Sequence, residues 1–505
     1  MTSNHAHDAL IGRADARERP FLRLEDGGVW THGDFADRAA RLAAALAAMG
    51  LSPGDRIAVQ VAKHPDALTL YAAALYGGFV FLPLNTAYTA AELDHFVSDS
   101  GAALMVCDAG TVEEASPVAG RHGARVVRLD ELMDRAAGAA PAGPARRGPD
   151  DLAAILYTSG TTGRSKGAML THGNLVSNAL ALVEAWRFGP GDVLIHALPV
   201  FHTHGLFVAT NVTLATGSSM IFQSRFDPEA VLAAMPGATV LMGVPTFYTR
   251  LLDHPGLTAE AAGGMRLFVS GSAPMLVETH RAWEARTGHR ILERYGMTET
   301  NMNASNPYDG ERRPGAVGPP LPGVEIRITG KDRAPLPVGE PGMVEVRGPN
   351  VFAGYWNLPE KTAEELGPDG WFVTGDLGVL SEDGYLSIIG RQKDLVISGG
   401  YNVYPKEVEE ALDALPGVRE SAVFGVPHPD MGEAVVAVVV PDGGAGLDTD
   451  ALREALAGSL ARFKRPGRVF EIEDLPRNTM GKVQKNVLRE RYADLFAPAS
   501  TPSAG

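Results

Sequence analysis

The sequence predicts an α/β protein. A large N-terminal domain of doubly wound sheets, with a small barrel or extra sheet, precedes a small α+β C-terminal domain. Three observations point there. Helix and strand patterns alternate through the first 135 residues and again from Leu152 to about Gly323. Short strands with hairpin turns fill Val324 to Asp376, and a new helix–strand–strand–helix pattern begins after Gly390. A chain of 505 residues also exceeds one comfortable hydrophobic core, so more than one domain is expected.

In order along the chain, Asp34 to Met49 reads as an amphipathic Ala/Leu-rich helix stopped by Gly50 and the turn Ser52-Pro53-Gly54-Asp55. Arg56 to Val61 reads as a buried strand, His64 to Tyr76 and Ala91 to Ser98 as helices, and Ala103 to Cys107 as a strand. This rhythm implies a parallel, doubly wound sheet. The Ala/Gly/Pro-rich stretch from Ala136 to Asp150 reads as a surface connector. Farther on, Lys406 to Leu415 and Leu452 to Phe463 read as helices, and Ser421 to Val426 and Ala434 to Val440 as strands. The polar junction Arg391-Gln392-Lys393-Asp394 reads as a hinge and divides the chain into domains 1–392 and 393–505.

Composition excludes several function classes. A net charge of −15 argues against nucleic acid or an anionic membrane as the main partner. The single Cys107 rules out an intrachain disulfide framework and suits a reducing cytoplasm. The N-terminus lacks the cationic start and apolar stretch of a signal peptide. The longest apolar run, Leu70 to Leu84, is interrupted by Gly77-Gly78 and Pro83 and is too short to span a bilayer. A cytoplasmic protein is expected, with its oligomeric state left open.

The most informative segment is Thr158-Ser159-Gly160-Thr161-Thr162-Gly163-Arg164-Ser165-Lys166, which follows the apolar run Ile155-Leu156-Tyr157. Glycines let a backbone fold tightly enough to aim several N–H groups at oxyanions, hydroxyls add donors, and Arg164 and Lys166 add charge. This is a polyphosphate loop, yet it is not a Walker loop. Ser165 stands where G-x-x-x-x-G-K-[ST] requires its second Gly, and Gly167 stands where it requires the magnesium-binding hydroxyl.

Five further segments follow: Gly271-Ser272-Ala273-Pro274, Glu293-Arg294-Tyr295-Gly296-Met297-Thr298-Glu299, Thr374-Gly375-Asp376, Gly390-Arg391-Gln392-Lys393-Asp394, and Pro476 through Gly481-Lys482 to Lys485. In this order they resemble the core motifs of the adenylate-forming superfamily, which includes acyl-CoA synthetases, luciferases and peptide-synthetase adenylation domains. The resemblance covers nearly the whole chain. It implies a mobile C-terminal domain pivoting at Lys393, and ATP, Mg2+ and coenzyme A as cofactor and co-substrates.

The resemblance also assigns roles that the chemistry supports. Thr158, Ser159, Gly160, Thr161, Thr162, Gly163 and Lys166 would hold the β- and γ-phosphates of ATP. Glu293 belongs to the nucleotide set, and Tyr295 would stack on adenine. Thr298 would touch the α-phosphate, and Glu299 would hold magnesium, a hard cation that takes carboxylate and phosphate oxygens. Asp376, assisted by Arg391, would accept bonds from the ribose hydroxyls. Lys482 would bridge the attacking carboxylate and the α-phosphate, stabilising charge that develops in the transition state. Lys485 competes for that role; the Gly-Lys pairing favours Lys482 and leaves Lys485 as a solvated charge. Gly399 and Gly400 would help line the pantetheine tunnel. Lys482 is also a candidate for acetylation, which would erase its charge.

His202-Thr203-His204 invites a metal reading, but no Cys or carboxylate cluster accompanies the pair. The resemblance puts His202 at the acyl pocket near the entry of the thiol, with His204 facing the substrate. The remaining question is which acid is bound. Arg250 and Arg294 fall in segments that wall the acyl pocket of such enzymes, and Ser272 adds a hydroxyl. Burying unpaired guanidinium groups is costly, whereas a small substrate with a second carboxylate would satisfy them. The alternative is that each Arg pairs with a nearby acid such as Glu293 or Asp253. The runs Arg294 to Asn303 and Pro476 to Lys485 resemble those of malonyl-CoA synthetases, in which residues matching Arg250, Ser272 and Arg294 hold the distal carboxylate. Malonate is therefore the expected acid, with methylmalonate also open; the alternative is another small or aryl carboxylic acid.

Overall fold

The computed structural model describes residues 3–158, 165–399, 401–443, 446–478 and 481–496. Backbone packing divides the chain into two units, Met1–Ile326 with Glu345–Val373, and Arg327–Val344 with Thr374–Gly505.

The first unit holds two large sheets. In one, the strands Arg125–Arg128, Leu104–Cys107, Arg56–Gln60, Val80–Pro83 and Leu152–Thr158 lie side by side in that order. All of these pair in parallel, and Lys166–Thr171 closes the edge antiparallel to Leu152–Thr158. The helices that cover it are well punctuated. Thr31 and Asp34 form a capping box on His32–Ala48, Thr89 and Glu92 form one on Ala90–Ser100, and Pro65 opens Pro65–Gly77. Ala58, Leu82, Met105, Cys107 and Ile155 pack on Leu93, Phe96 and Val97 to form one core, so the lone cysteine is a buried apolar group.

The second large sheet has eight strands, in the order Asn301–Ser305, Leu292–Met297, Leu267–Ser270, Val240–Gly243, Val193–His196, Ser219–Phe222, Pro20–Arg23, Val29–Thr31. Its inner strands are parallel, and the two edge strands are antiparallel. The expected doubly wound α/β character holds in both sheets.

The segment expected to form a small barrel or extra sheet gives a four-stranded sheet, Glu325–Thr329, Gly342–Arg347, Phe372–Leu380 and Leu386–Arg391 in sequence order. In the second unit a five-stranded sheet centres on Gly432–Pro441, with Val418–His428 antiparallel on one side. Alternate residues of this pair feed two cores. Val423, Val435, Ala437 and Val439 pack with Val408 and Leu412, while Phe424, Val436 and Val438 pack with Leu475 and Leu488. The helix expected from Leu452 to Phe463 is shorter. It runs Thr449–Ala455, and Gly458 and Ser459 end it in a tight turn before a separate turn at Arg462–Lys464. Among the described residues, no helix is long and apolar enough to cross a membrane.

Candidate active site

The segment expected to hold polyphosphate falls between two antiparallel strands, with Thr158 opposite Lys166. A Walker loop would lead into a helix, so the strand context agrees with the residue mismatches. Ser159 to Arg164, which include five of the expected phosphate ligands, lie outside the described residues, as does Gly400.

The described ends of the loop meet a cluster that the sequence did not announce. The Tyr355 hydroxyl lies 3.0 Å from Oε1 of Glu299 and 2.6 Å from Oε2 of Glu365. A phenol carries one proton, so the two carboxylates compete for it. The Lys166 ammonium lies 3.3 Å from Oε1 of Glu365 and 4.1 Å above the Tyr355 ring. Burial, then the charges of Glu299 and Glu365, hold the Tyr355 phenol far above its usual pKa. Burial pushes Glu365 up, but Tyr355, Lys361 and Lys166 outweigh it and keep the carboxyl below its usual value. Thr158 Oγ1 reaches Glu299 at 3.5 Å. Among the described residues, no group of three or more His, Cys, Asp or Glu side chains is arranged to hold a metal ion. Glu299 is a hard oxygen donor suited to magnesium only when phosphate oxygens complete the shell.

The residues expected at the acyl end of the site gather around strand Leu292–Met297. Arg294 is 4% exposed. Its Nε and Nη2 have no hydrogen-bond partner, and no carboxylate of the described residues pairs with it. Burial lowers its pKa to about 9, opposed only by the nearby Tyr248 hydroxyl. Arg294 therefore remains a cation at neutral pH, buried without a counter-ion among the described residues. Gly271 permits this placement, since a Cβ there would lie 2.4 Å from the guanidinium carbon. The neighbouring Ser272 has φ +73°, a left-handed conformation that is strained for a residue with a side chain. Its Oγ lies 3.3 Å from Nδ1 of His204. His204 is buried, and desolvation together with the charge of Arg294 holds its pKa well below 6.5, so the imidazole is neutral. It opens a π-helical turn, His204–Thr210, a geometry frequent at functional sites. His202 is half-buried beside it.

Two of the expected site residues have surroundings that the sequence does not indicate. Arg250 is exposed on helix Pro245–Leu252, whereas Tyr248 is fully buried. Two residues along a helix amount to about 200°, so Tyr248 facing inward turns Arg250 outward. One guanidinium is buried, not two. Glu293, expected among the nucleotide ligands, has its carboxylate 3.1 Å from Nδ1 of His280 and accepts the Gly315 N–H. Strand alternation places it on the face opposite Arg294, so the two do not neutralise each other. Tyr295 and Thr298 are half-buried, on the strand and in the turn before Asn301.

In the second unit, Asp376 and Arg391 stand opposite each other on adjacent strands and pair at 2.9 Å. Lys393 is exposed in the short turn Gln392–Asp394. Lys482 is exposed after Gly481, whose φ is +74°, and its N–H donates to Asn478 Oδ1. Lys485 pairs instead with Glu409 at 2.6 Å, each side chain 17% exposed, so it is a structural ion pair and not a solvated charge. Gly399 ends strand Val396–Ser398 with φ +57°.

Comparison with known proteins bears on this arrangement. The model of the AMP-binding enzyme family matches residues 12–356, and that of the AMP-binding enzyme C-terminal domain matches 407–482. The chain is similar to the crystal structure of ATP-bound MatB from Rhodopseudomonas palustris, at 57% identity and a TM-score of 0.96, covering 98% of this chain and 100% of that one. It is 38% identical over 471 residues to a feruloyl-CoA synthase from Amycolatopsis sp, covering 92% of this chain and 94% of that protein. It is 34% identical over 546 residues to a mitochondrial malonate–CoA ligase from Bos taurus, covering 97% and 93%.

Proposed function

The chain belongs to the AMP-binding enzyme family, and from that premise we propose that it is an ATP-dependent, AMP-forming ligase that joins malonate to coenzyme A. The observation that carries the choice of acid is Arg294, a buried cation with no counter-ion among the described residues. A second carboxylate on the substrate supplies that counter-ion through charge-assisted bonds, with Ser272 and His204 beside it. A monocarboxylic or aryl acid would leave the charge uncompensated. The likeness to a feruloyl-CoA synthase therefore supports the reaction type and not the acid.

In the first half-reaction a malonate carboxylate oxygen attacks the α-phosphorus of ATP. The bond to the β-phosphate breaks, giving malonyl-AMP and pyrophosphate. The described loop ends, Thr158 and Lys166, hold the leaving phosphates, and Thr298 contacts the α-phosphate. Asp376 and Arg391 bind the ribose, and Tyr295 stacks on the base. Lys482 supplies the cation that stabilises charge at the reacting oxygens. Glu299 would hold Mg2+, which neutralises phosphate charge when bound. In the second half-reaction the thiolate of coenzyme A attacks the acyl carbonyl, with His202 near the thiol and Gly399 along its path, and AMP leaves. We place the pivot between the half-reactions at Lys393, the protein in the cytoplasm, and a site for acetylation at the exposed Lys482.

The test is AMP release with acetate, malonate, methylmalonate, succinate, ferulate and a long-chain acid. Malonate, with or without methylmalonate, should exceed the monocarboxylates by orders of magnitude in kcat/KM. Ferulate or acetate as the preferred acid would overturn the reading.

A further inference from the structure

Lys166, the described cation of the polyphosphate loop, already has an anionic partner. Its ammonium lies 3.3 Å from Oε1 of Glu365, with side-chain exposures of 14% and 23%. Glu365 is itself fixed. Its Oε2 takes the Tyr355 hydroxyl at 2.6 Å, and Lys361 reaches the same Oε1 that Lys166 holds, at 3.0 Å, so the carboxylate keeps its place if Lys166 leaves. Lys166 also lies over the Tyr355 ring, 4.1 Å from its centre. A polyphosphate that recruits Lys166 must therefore break this ion pair and bring its own negative charge up to a carboxylate that cannot move away.

We propose that Glu365 is a positioning residue that holds Lys166 in the absence of nucleotide, yields it to the polyphosphate on binding, and takes it back as pyrophosphate departs. This rests on the reading of Lys166 as a polyphosphate ligand. No covalent step is involved; the exchange is one ion pair for another. Its consequence is a resident competitor that weakens the grip on ATP and, equally, on the pyrophosphate that has to leave. A role confined to closing helix Pro359–Glu365 would have no such consequence.

The two roles predict opposite signs. Glu365→Gln keeps the shape and an acceptor for Tyr355 while removing the charge. The full-length protein and the variants Glu365→Gln, Lys166→Ala and the double variant are titrated by calorimetry with ATP without magnesium and with inorganic pyrophosphate. Pyrophosphate release is also followed by stopped flow. Glu365→Gln should bind both ligands about three- to tenfold tighter, the range expected for a partly buried ion pair, and release pyrophosphate correspondingly more slowly. Lys166→Ala should bind them more weakly, and Glu365→Gln should add nothing in that background. Weakened Lys166→Ala with Glu365→Gln no tighter than wild type, or the same tightening in both backgrounds, overturns the inference alone. Lys166→Ala binding as well as wild type overturns the reading of the loop and the inference with it.

Discussion

Replacing Arg294 with Met should make the protein more stable and nearly inactive toward malonate. Burial without a partner brings the Arg294 pKa from its ordinary guanidinium value down to about 9. At 1.36 kcal/mol per pH unit, this amounts to ~5 kcal/mol of destabilisation of the charged form. The sign follows from proton binding. Between about pH 9 and the ordinary guanidinium pKa the unfolded chain holds more protons than the folded one, so stability rises with pH across that window. Below about pH 9 the full penalty is present. A Met of similar length removes the charge but loses some packing, so a net gain of ~1–3 kcal/mol is expected in the absence of substrate. With malonate the balance reverses. Losing one partner of a buried charge pair costs ~2–5 kcal/mol, or about thirty- to several-thousand-fold in kcat/KM, while the ATP affinity stays unchanged. Thermal unfolding with and without malonate, together with AMP release, reads both effects. A variant that melts below wild type without substrate, or that keeps malonate turnover within about tenfold, would refute the reasoning.

The same charge sets a pH limit: kcat/KM for malonate should fall above about pH 9, where free Arg294 loses its proton, and its KM should be flat from pH 6 to 8 because His204 stays neutral. Ser272→Gly relieves the left-handed strain at φ +73° and should raise stability by ~1 kcal/mol in thermal melts, while raising the KM for malonate through loss of the hydroxyl. Lys482→Ala should abolish malonyl-AMP formation yet spare thioester formation from supplied malonyl-AMP, measured as the two half-reactions; equal loss in both would contradict the division of labour. Lys485→Ala, by contrast, should lower the melting temperature by breaking its pair with Glu409 and should alter kcat little.

Much of this was legible from local sequence because local chemistry decides it. Thr31 and Thr89 mark helix starts through reciprocal caps. Arg294 and Arg250 look alike in sequence, and only packing separates them. One sits on the inward face of a strand beside Gly271, the other on the far side of a helix from Tyr248. The contact of Glu293 with His280 is hidden in the sequence because His280 lies thirteen residues away on another element. The Tyr355–Glu365 cluster is invisible in the sequence because it joins Thr158, Lys166, Glu299, Tyr355 and Glu365, and no short motif spans such separations. Lys485 is expected as a solvated charge, and its ion pair with Glu409 shows only in the fold, because the two residues lie far apart in the chain.

The most direct test of the central claim, that Arg294 reads a second carboxylate, is a crystal structure with a non-hydrolysable malonyl-adenylate analogue. The account predicts the distal carboxylate within ~3 Å of the Arg294 guanidinium and beside the Ser272 hydroxyl. A distal carboxylate facing solvent, with Arg294 still unpaired, would contradict it.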